Sequence, residues 1–244
     1  MTLPPIPEDW TKALAVVAHP DDLEFGTAAA IARWTRQGKE VVYCMVTSGE
    51  AGIDGIQPEE SGPLREAEEV ASARAVGVDT VEFLHLPDGV LEYGVDLRRA
   101  IAHVVREHRP EIVITINFAE SFPGGGLNQA DHIATGRATL DAVRDAGNRW
   151  VFHDQLTDGL EPWSGVRQVW VAGSPDATHG VDTTDTFDAG LASLSEHRAY
   201  IDGLSWHFDP EEFLTGLGTA GGEATGTRYG TTFEVIGLGF GSDD

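Results

Sequence analysis

Histidine and two aspartates stand together at the end of the first apolar segment of the chain, in His19-Pro20-Asp21-Asp22. Imidazole nitrogens and carboxylate oxygens are ligands for zinc and related divalent metals. His19 and Asp22 are three residues apart, so both side chains can face one point where the turn winds into a helix. Asp21 would then point elsewhere and stay free to act as a base. The ordinary alternative is that one aspartate only caps the following helix.

A second polar segment could complete such a site. Asn128-Gln129-Ala130-Asp131-His132 also lies between a predicted strand and a predicted helix. A neutral imidazole is favoured at a helix N-terminus, because the helix dipole disfavours imidazolium there, so His132 is a candidate third ligand. Two histidines and one aspartate leave tetrahedral zinc one open position, which is typical of a catalytic site. Zinc so bound lowers the pKa of its water toward ~7 and polarises a carbonyl oxygen, so the pattern predicts a hydrolase with one Zn²⁺ per chain.

Both segments need elements that bring them to one place. Short apolar segments alternate along the chain with segments of helical periodicity, which is typical of a parallel sheet covered on both faces. The sequence therefore predicts an α/β fold with a doubly wound, mostly parallel, Rossmann-like sheet, in which ligands bind at the carboxyl ends of the strands. The predicted strands are 13–18, 40–47, 80–86, 111–116, 168–172 and 231–236, and the predicted helices are 23–36, 64–76, 95–107, 133–146 and 187–204.

The later part of the chain follows this alternation less regularly. We expect one domain over residues 1–244, with a core at about 10–150 and a C-terminal elaboration at about 151–244, because no linker separates the two. Within the elaboration, residues 216–221 match the G-x-G-x-x-G pattern of dinucleotide sites. They follow no predicted strand and open no credible helix, so we interpret them as a flexible loop and not as a cofactor site.

Composition excludes several classes of partner. The 244 residues include 16 Lys+Arg and 40 Asp+Glu, a formal net charge of -24, which repels nucleic acid and anionic lipid. Cys44 is the only cysteine, so no intramolecular disulfide can form and a reducing cytoplasm fits. The N-terminus has no signal-peptide pattern, and no apolar run approaches the ~18 residues of a membrane span. We expect a soluble cytoplasmic protein that binds a small molecule and neither nucleic acid nor membrane; homo-oligomers stay open.

The segment Ala18-His19-Pro20-Asp21-Asp22-Leu23-Glu24, with the later Asp131-His132, resembles the LmbE-like (PIG-L) zinc N-deacetylases, a family that includes GlcNAc-phosphatidylinositol de-N-acetylase and mycothiol-pathway deacetylases. The resemblance covers most of the chain. It implies a reaction that removes an acyl group, usually acetyl, from the amine of an amino sugar, a glycoside or a related small molecule. The zinc ligands that it implies are His19, Asp22 and His132, and the general base is Asp21.

The same resemblance implies further roles. Asp131 would orient a neighbouring group in the reaction, and Gln129 stands where well-known members have a catalytic histidine. A glutamine amide can donate a hydrogen bond to an oxyanion, which is worth roughly 2.7–4 kcal/mol in other enzymes, but it cannot deliver a proton. Asp21 or a later histidine, His179 or His197, would then protonate the leaving amine. The residues that the resemblance and their positions assign to substrate binding are Glu50, Arg65, Asp88 and Asn128.

Two alternatives to a sugar deacetylase stay open. One is a zinc amidase for a bulkier amide, such as a thiol conjugate or a natural-product intermediate. The other is a metal- and sugar-binding protein that has kept the site and lost catalysis, which the replacement of a catalytic histidine by Gln129 motivates. Release of a primary amine from the substrate distinguishes either enzyme from the binding protein.

Overall fold

The structure, a computed structural model, describes residues 2–157 and 159–239. Its strands are β1 (Lys12–Val17), β2 (Glu40–Met45), β3 (Thr80–Phe83), β4 (Ile112–Ile116), β5 (Gln168–Ala172), β6 (His179–Asp182) and β7 (Gly230–Gly237). Its helices are α1 (Ala28–Arg36), α2 (Pro58–Ala75), α3 (Val95–His108), α4 (Ala130–Gly147), α5 (Asp154–Thr157), α6 (Phe187–Leu194), α7 (Arg198–Gly203) and α8 (Pro210–Thr225). The strands form one sheet in the order β3-β2-β1-β4-β5-β7-β6.

Parallel pairing dominates this sheet. β1 pairs in parallel with β2 and β4, β2 with β3, and β4 with β5. β7 is antiparallel to both of its neighbours. The chain thus winds outward from β1 in two directions, which confirms the predicted doubly wound, mostly parallel α/β fold. A crevice lies at the carboxyl ends of β1 and β4 in such a sheet, where the direction of winding reverses.

Apolar side chains cover both faces of the sheet, because its central strands are buried on both sides. One core cluster packs α1 and the end of α2 onto the sheet around Trp10, Trp34 and Trp170, whose ring centroids lie 5.5, 5.8 and 5.4 Å apart in pairs. A second cluster packs α3 and α4 onto the opposite face. No helix in the described part of the chain is both long and apolar enough to cross a membrane.

The first helix begins later than predicted, and this changes how the site is built. α1 starts at Ala28 and not at Leu23, because residues 21–27 form consecutive turns. Asp21 has φ 93°, which is incompatible with an α-helix. The carboxylate of Asp22 instead folds back, so that its Oδ2 accepts the backbone N–H of His19 at 2.9 Å. A tight turn, not helical spacing, therefore brings His19 and Asp22 together.

The predicted helix 187–204 is two helices, α6 and α7. The chain leaves α6 at Ser195 and enters α7 after His197, which is fully buried. A continuous helix would carry on in the direction of α6, whereas the break lets His197 project into the protein interior. The prediction of helical structure in this segment is confirmed, whereas the break between α6 and α7 follows from the packing of His197 in the interior.

The interpretation of residues 216–221 as a flexible loop is wrong, because they lie inside α8. Asp209 caps this helix by accepting the N–H groups of Glu211 and Glu212 through its side chain. The glycines serve close packing: a Cβ on Gly221 would lie 1.9 Å from the carbonyl oxygen of Gly230 in β7. The rejection of a dinucleotide motif still holds, since the helix begins before the glycines and follows no βαβ turn.

Candidate active site

The three predicted metal ligands meet in the crevice between β1 and β4. His19 and Asp22 follow β1, while His132 lies in the first turn of α4, which follows β4. His132 Nε2 is 3.0 Å from Asp22 Oδ1 and 3.2 Å from His19 Nδ1. His19 Nδ1 is 3.7 Å from Asp22 Oδ1, and all three side chains are buried. Residues 113 positions apart in the chain thus present their polar atoms to one point.

Asn128 determines which nitrogen of His132 faces that point. Its amide nitrogen donates to the carbonyl oxygens of Asn117 and Ala119 at 2.8 and 2.9 Å, which leaves its Oδ1 toward the imidazole. His132 Nδ1 lies 2.9 Å from this oxygen, so Nδ1 carries the hydrogen and donates. The other nitrogen, Nε2, therefore presents a lone pair to His19 and Asp22.

His19 is oriented in the opposite sense by two carboxylates. Its Nε2 lies 3.1 Å from Asp88 Oδ1 and 3.4 Å from Asp131 Oδ2, so Nε2–H donates to them. Asp131 is itself fixed by the N–H groups of Gly89 and Leu91 at 2.7 and 3.0 Å. His19 Nδ1 then offers a lone pair to the same point as His132. In the neutral form of both imidazoles, these two nitrogen lone pairs and the Asp22 carboxylate converge, a donor set that fits a divalent metal ion.

The electrostatics of the cluster also favour a cation. Burial lowers the pKa of His19, but Asp22, Asp131 and Asp88 together raise it well above its usual value. Burial raises the pKa of Asp22, yet His132 and His19 hold it well below its usual range. Asp22 is therefore ionised at neutral pH, and the carboxylates around His19 draw positive charge into the site.

Asp21 lies beside the cluster, buried against α2. Arg65 donates to Asp21 Oδ2 at 2.7 Å, and the backbone N–H of Asp21 donates to Glu69 Oε2 at 3.0 Å. Burial raises the pKa of Asp21 to about 7, against the lowering effect of the Arg65 guanidinium. A carboxyl with a pKa near neutrality can both take up and give back a proton under ordinary conditions.

The four residues assigned to substrate binding lie at the site, but their polar groups contact the protein. Arg65 donates to Asp21 and to the carbonyl oxygens of Pro20 and Gly49. Glu50 Oε1 accepts the N–H of Asp88 at 2.9 Å. Asp88 and Asn128 hold the two imidazoles, as described above. Through these contacts the four residues hold His19, His132 and Asp21 in place.

The remaining predicted residues divide into near and distant ones. Gln129 is exposed at the N-cap of α4, beside the cluster, and Asp131 contacts His19. His179 is on β6 at the far edge of the sheet. His197 is fully buried, and burial lowers its pKa to about 3. These positions argue against His179 and His197 as the group that protonates the leaving amine.

The sequence carries one signal for a further residue, Glu69. Glu69 follows Arg65 by four positions on α2, so both side chains lie on one face of that helix. Both are buried, and both contact Asp21. The signal is weak in the sequence because acidic residues are frequent in α2.

The fold and the site together define an α/β protein with a buried cluster of candidate metal ligands at the carboxyl ends of its central strands. The family described as PIG-L, GlcNAc-PI de-N-acetylase, matches residues 14–143, more than half of the chain. The chain belongs to this family.

Relatives of known activity are similar over most of the chain. Diacetylchitobiose deacetylase of Thermococcus kodakarensis is 29% identical over 91% of this chain and 81% of its own length. The 1D-myo-inositol 2-acetamido-2-deoxy-alpha-D-glucopyranoside deacetylase of Mycolicibacterium gilvum is 31% identical over 77% of this chain and 76% of its own length. Both relatives hydrolyse an N-acetyl amide, as their names state.

Solved structures give the same fold. N,N'-diacetylchitobiose deacetylase from Pyrococcus horikoshii superposes with a TM-score of 0.85 at 25% identity, over 94% of this chain and 85% of that one. GalB, the 4-carboxy-2-hydroxymuconate hydratase of Pseudomonas putida, superposes with a TM-score of 0.73 at 17% identity, over 96% of this chain and 99% of that one. The GalB likeness shows the fold alone, so the reaction has to be argued from the site.

Proposed function

We propose that the protein is a metal-dependent deacetylase that removes an acetyl group from the amine of a small N-acetylated amino sugar or glycoside. One observation carries the proposal: two imidazole lone pairs and a carboxylate converge on one point, with a buried carboxyl, Asp21, beside them. The relatives act on diacetylchitobiose and on an acetamido-glucosyl inositol, which supports an amino sugar as the substrate.

The metal would be Zn²⁺, one ion held by His19, Asp22 and His132. When bound there, it supplies a water of lowered pKa and polarises the amide carbonyl. Asn128 fixes the tautomer of one imidazole, while Asp88 and Asp131 fix that of the other. Such partners orient the ligands and raise their basicity.

Asp21 takes the proton of the attacking water. Arg65 donates to Oδ2 of Asp21, so Oδ1 is the atom that takes up the proton in this proposal. Asp21 then returns the proton to the amine nitrogen when the carbon–nitrogen bond breaks, since a glutamine amide cannot deliver one, His197 is fully buried and His179 lies on the far edge strand of the sheet. One group with a pKa near neutrality suits both steps.

Gln129 donates a hydrogen bond to the oxyanion in this proposal. Its side chain is exposed at the N-terminus of α4, where the free backbone N–H groups of the helix also favour negative charge. Gln129 thus replaces the electrostatic part of a catalytic histidine's role, and Asp21 carries the proton transfer. The assigned substrate residues Glu50, Arg65, Asp88 and Asn128 contribute by holding the site together.

Amine release from N-acetylglucosamine and diacetylchitobiose tests the proposal, with metal-loaded and chelator-stripped protein side by side. Asp21→Asn should lower kcat by about 10²–10⁴-fold, the usual contribution of general acid–base catalysis, while the protein still binds one metal ion at this centre. His132→Ala should lose that ion and the activity together. Full activity in Asp21→Asn would show that another group is the base.

A bulkier amide is the second candidate, and exposed apolar residues favour it. Leu127 is 85% exposed on the loop before α4, and the ring of Phe122 lies 6.2 Å from that of His132. Together they give the crevice an apolar rim that suits a substrate with an apolar substituent. A panel that adds N-acylated thiol conjugates and aryl glycosides separates the two candidates. Saturable sugar binding without turnover on every compound would indicate a binding protein.

A further inference from the structure

A second cluster of ligand-type side chains lies in the interior beside Asp21. It consists of Glu24, Glu69 and His197, which are 1%, 0% and 0% exposed. The three residues come from the turn after β1, from α2 and from the segment between α6 and α7. One atom of each lies within 4.8 Å of the others. None of these residues is a ligand of the candidate active site.

Four polar atoms of this cluster lack partners, whereas Glu24 Oε1 accepts from Ser193 and Glu69 Oε2 accepts the backbone N–H of Asp21. Both ring nitrogens of His197, Oε2 of Glu24 and Oε1 of Glu69 have no hydrogen-bond partner among the described residues. Buried carboxylates and imidazoles are rarely left without partners, because the loss of water is then uncompensated. Something that the protein atoms do not supply must therefore satisfy them.

The distances favour a metal ion as that group. His197 Nε2 lies 3.8 Å from Glu24 Oε2 and 3.5 Å from Glu69 Oε2. Hydrogen bonds between nitrogen and oxygen are about 2.7–3.2 Å long, so neither pair is bonded directly. Ligands about 2.0–2.2 Å from a tetrahedral ion are about 3.3–3.6 Å from each other, which is close to the observed separations.

The charges point the same way. Burial raises the pKa of Glu24 to about 7 and that of Glu69 well above its usual value, because both side chains have lost their contact with water. A divalent cation bound between them would favour the ionised form of both carboxyl groups and balance their charge.

We propose that Glu24, Glu69 and His197 bind a second divalent metal ion of the zinc type, enclosed in the protein interior next to Asp21. The nitrogen and oxygen ligand set also accepts Co²⁺, Mn²⁺ and Fe²⁺. The ion would fix Glu69, whose Oε2 accepts the backbone N–H of Asp21 and so helps to hold that residue at φ 93°. This supporting role rests on the proposed function, whereas binding of the ion does not.

The difference in burial predicts different rates of metal release from the two sites. The ligands of the candidate active site are 6–8% exposed, whereas the second cluster is at most 1% exposed. A chelator should therefore remove the first ion quickly and the second only when the protein opens. The protein would acquire the second ion while it folds.

Metal stoichiometry of protein refolded with Zn²⁺ or Co²⁺ tests the proposal. We expect two ions per chain, of which EDTA removes one within minutes and the other only in denaturant. His132→Ala should keep only the slow ion, and His197→Ala only the fast one. Where His197→Ala does not fold, Glu24→Gln, which keeps the side-chain volume, replaces it.

Each outcome has one meaning. A single ion per chain that His132→Ala loses and His197→Ala keeps overturns the second site and leaves the proposed function intact. Two ions in the wild type that both survive in His197→Ala and in Glu24→Gln also overturn it. A slow ion that persists in His132→Ala and disappears in His197→Ala or Glu24→Gln supports the site, even if no substrate is hydrolysed.

Discussion

At the scale of single residues, Asp21 has a strained backbone, and both its side chain and its backbone N–H form hydrogen bonds with α2. A φ of 93° is rare for any residue other than glycine and costs of the order of 1–3 kcal/mol. Arg65 and Glu69 hold the side chain and the backbone N–H of Asp21 from one helix. This turn places the carboxylate of Asp22 against His19 and His132 and leaves that of the preceding residue, Asp21, beside them.

Activity should fall as the pH decreases through the pKa of Asp21, because a general base works only when it is deprotonated. Burial raises that pKa to about 7, so the acid limb should lie above the ~3.9 of an ordinary aspartate. A bound cation favours the carboxylate and moves the limb down from about 7. The profile of kcat/KM against pH on metal-loaded enzyme measures it. A flat profile down to about pH 4 would contradict the base assignment.

Asn128 should control metal affinity, because it is the acceptor for His132 Nδ1–H. Asn128→Leu removes the acceptor, and loss of such a partner typically weakens metal binding about 10–100-fold. Competition with a chromophoric chelator measures the dissociation constant. Asn148→Leu, at the exposed C-terminal end of α4, is the matched control and should bind metal as the wild type does. Equal affinities in the two variants would disprove the orienting role.

At the scale of elements, α2 and α8 show how helices act through what they place against their neighbours. α2 carries both Arg65 and Glu69 on the face toward the turn after β1. α8 carries glycines where it meets β7, so that its backbone approaches the strand closely. Hydrophobic periodicity is weak in both helices. In α2, polar side chains make the contacts with Asp21, and in α8, glycines let the backbone pack against β7.

Gly221→Ala should destabilise the protein, while Gly216→Ala should stabilise it. A Cβ on Gly221 would lie 1.9 Å from the carbonyl oxygen of Gly230, and such overpacking costs typically about 1–3 kcal/mol. Gly216 lies in the same helix, and a Cβ added there would meet nothing within 4 Å, so alanine should gain up to about 1 kcal/mol of helix propensity. Denaturant unfolding of both variants measures these free energies. A stable Gly221→Ala would show that α8 is not packed this closely.

At the scale of the whole molecule, the sheet continues across the start of the C-terminal elaboration. Residues 112–116 of β4 pair with 168–172 of β5 in parallel register. Trp170 and Phe233 lie in the same core cluster as Trp10 and Trp34. We therefore propose that residues 1–244 form one domain and that the elaboration completes the core.

Truncation after residue 150 should prevent folding. It would remove β5 and β7 from the sheet and expose the indole rings of Trp10 and Trp34, which are 2% and 0% exposed in the full chain. We expect the full chain to unfold in one cooperative transition and the fragment to give no near-ultraviolet circular dichroism. A folded, cooperative fragment would show that the elaboration is a separate unit.

Local signals in the sequence determined much of this protein. The alternation of apolar strands with helices indicated the doubly wound sheet, and the sheet required ligands at the carboxyl ends of β1 and β4. The groups His19-Pro20-Asp21-Asp22 and Asp131-His132 lie at those ends, so the meeting of His19, Asp22 and His132 was predictable from residue type and position. Each of these signals spans only a few residues, which is the range over which periodicity and turn chemistry act.

Only the tertiary structure decided what surrounds those groups. In the folded protein, Arg65 and Asn128 point inward, where they hold Asp21 and His132. The glycines of α8 lie in a helix, and Glu24, Glu69 and His197 come together from three separate elements. Contacts between residues that are tens to more than a hundred positions apart depend on how helices pack onto the sheet. No local pattern records that packing, because the same residue spacing is compatible with a side chain that faces solvent, substrate or core.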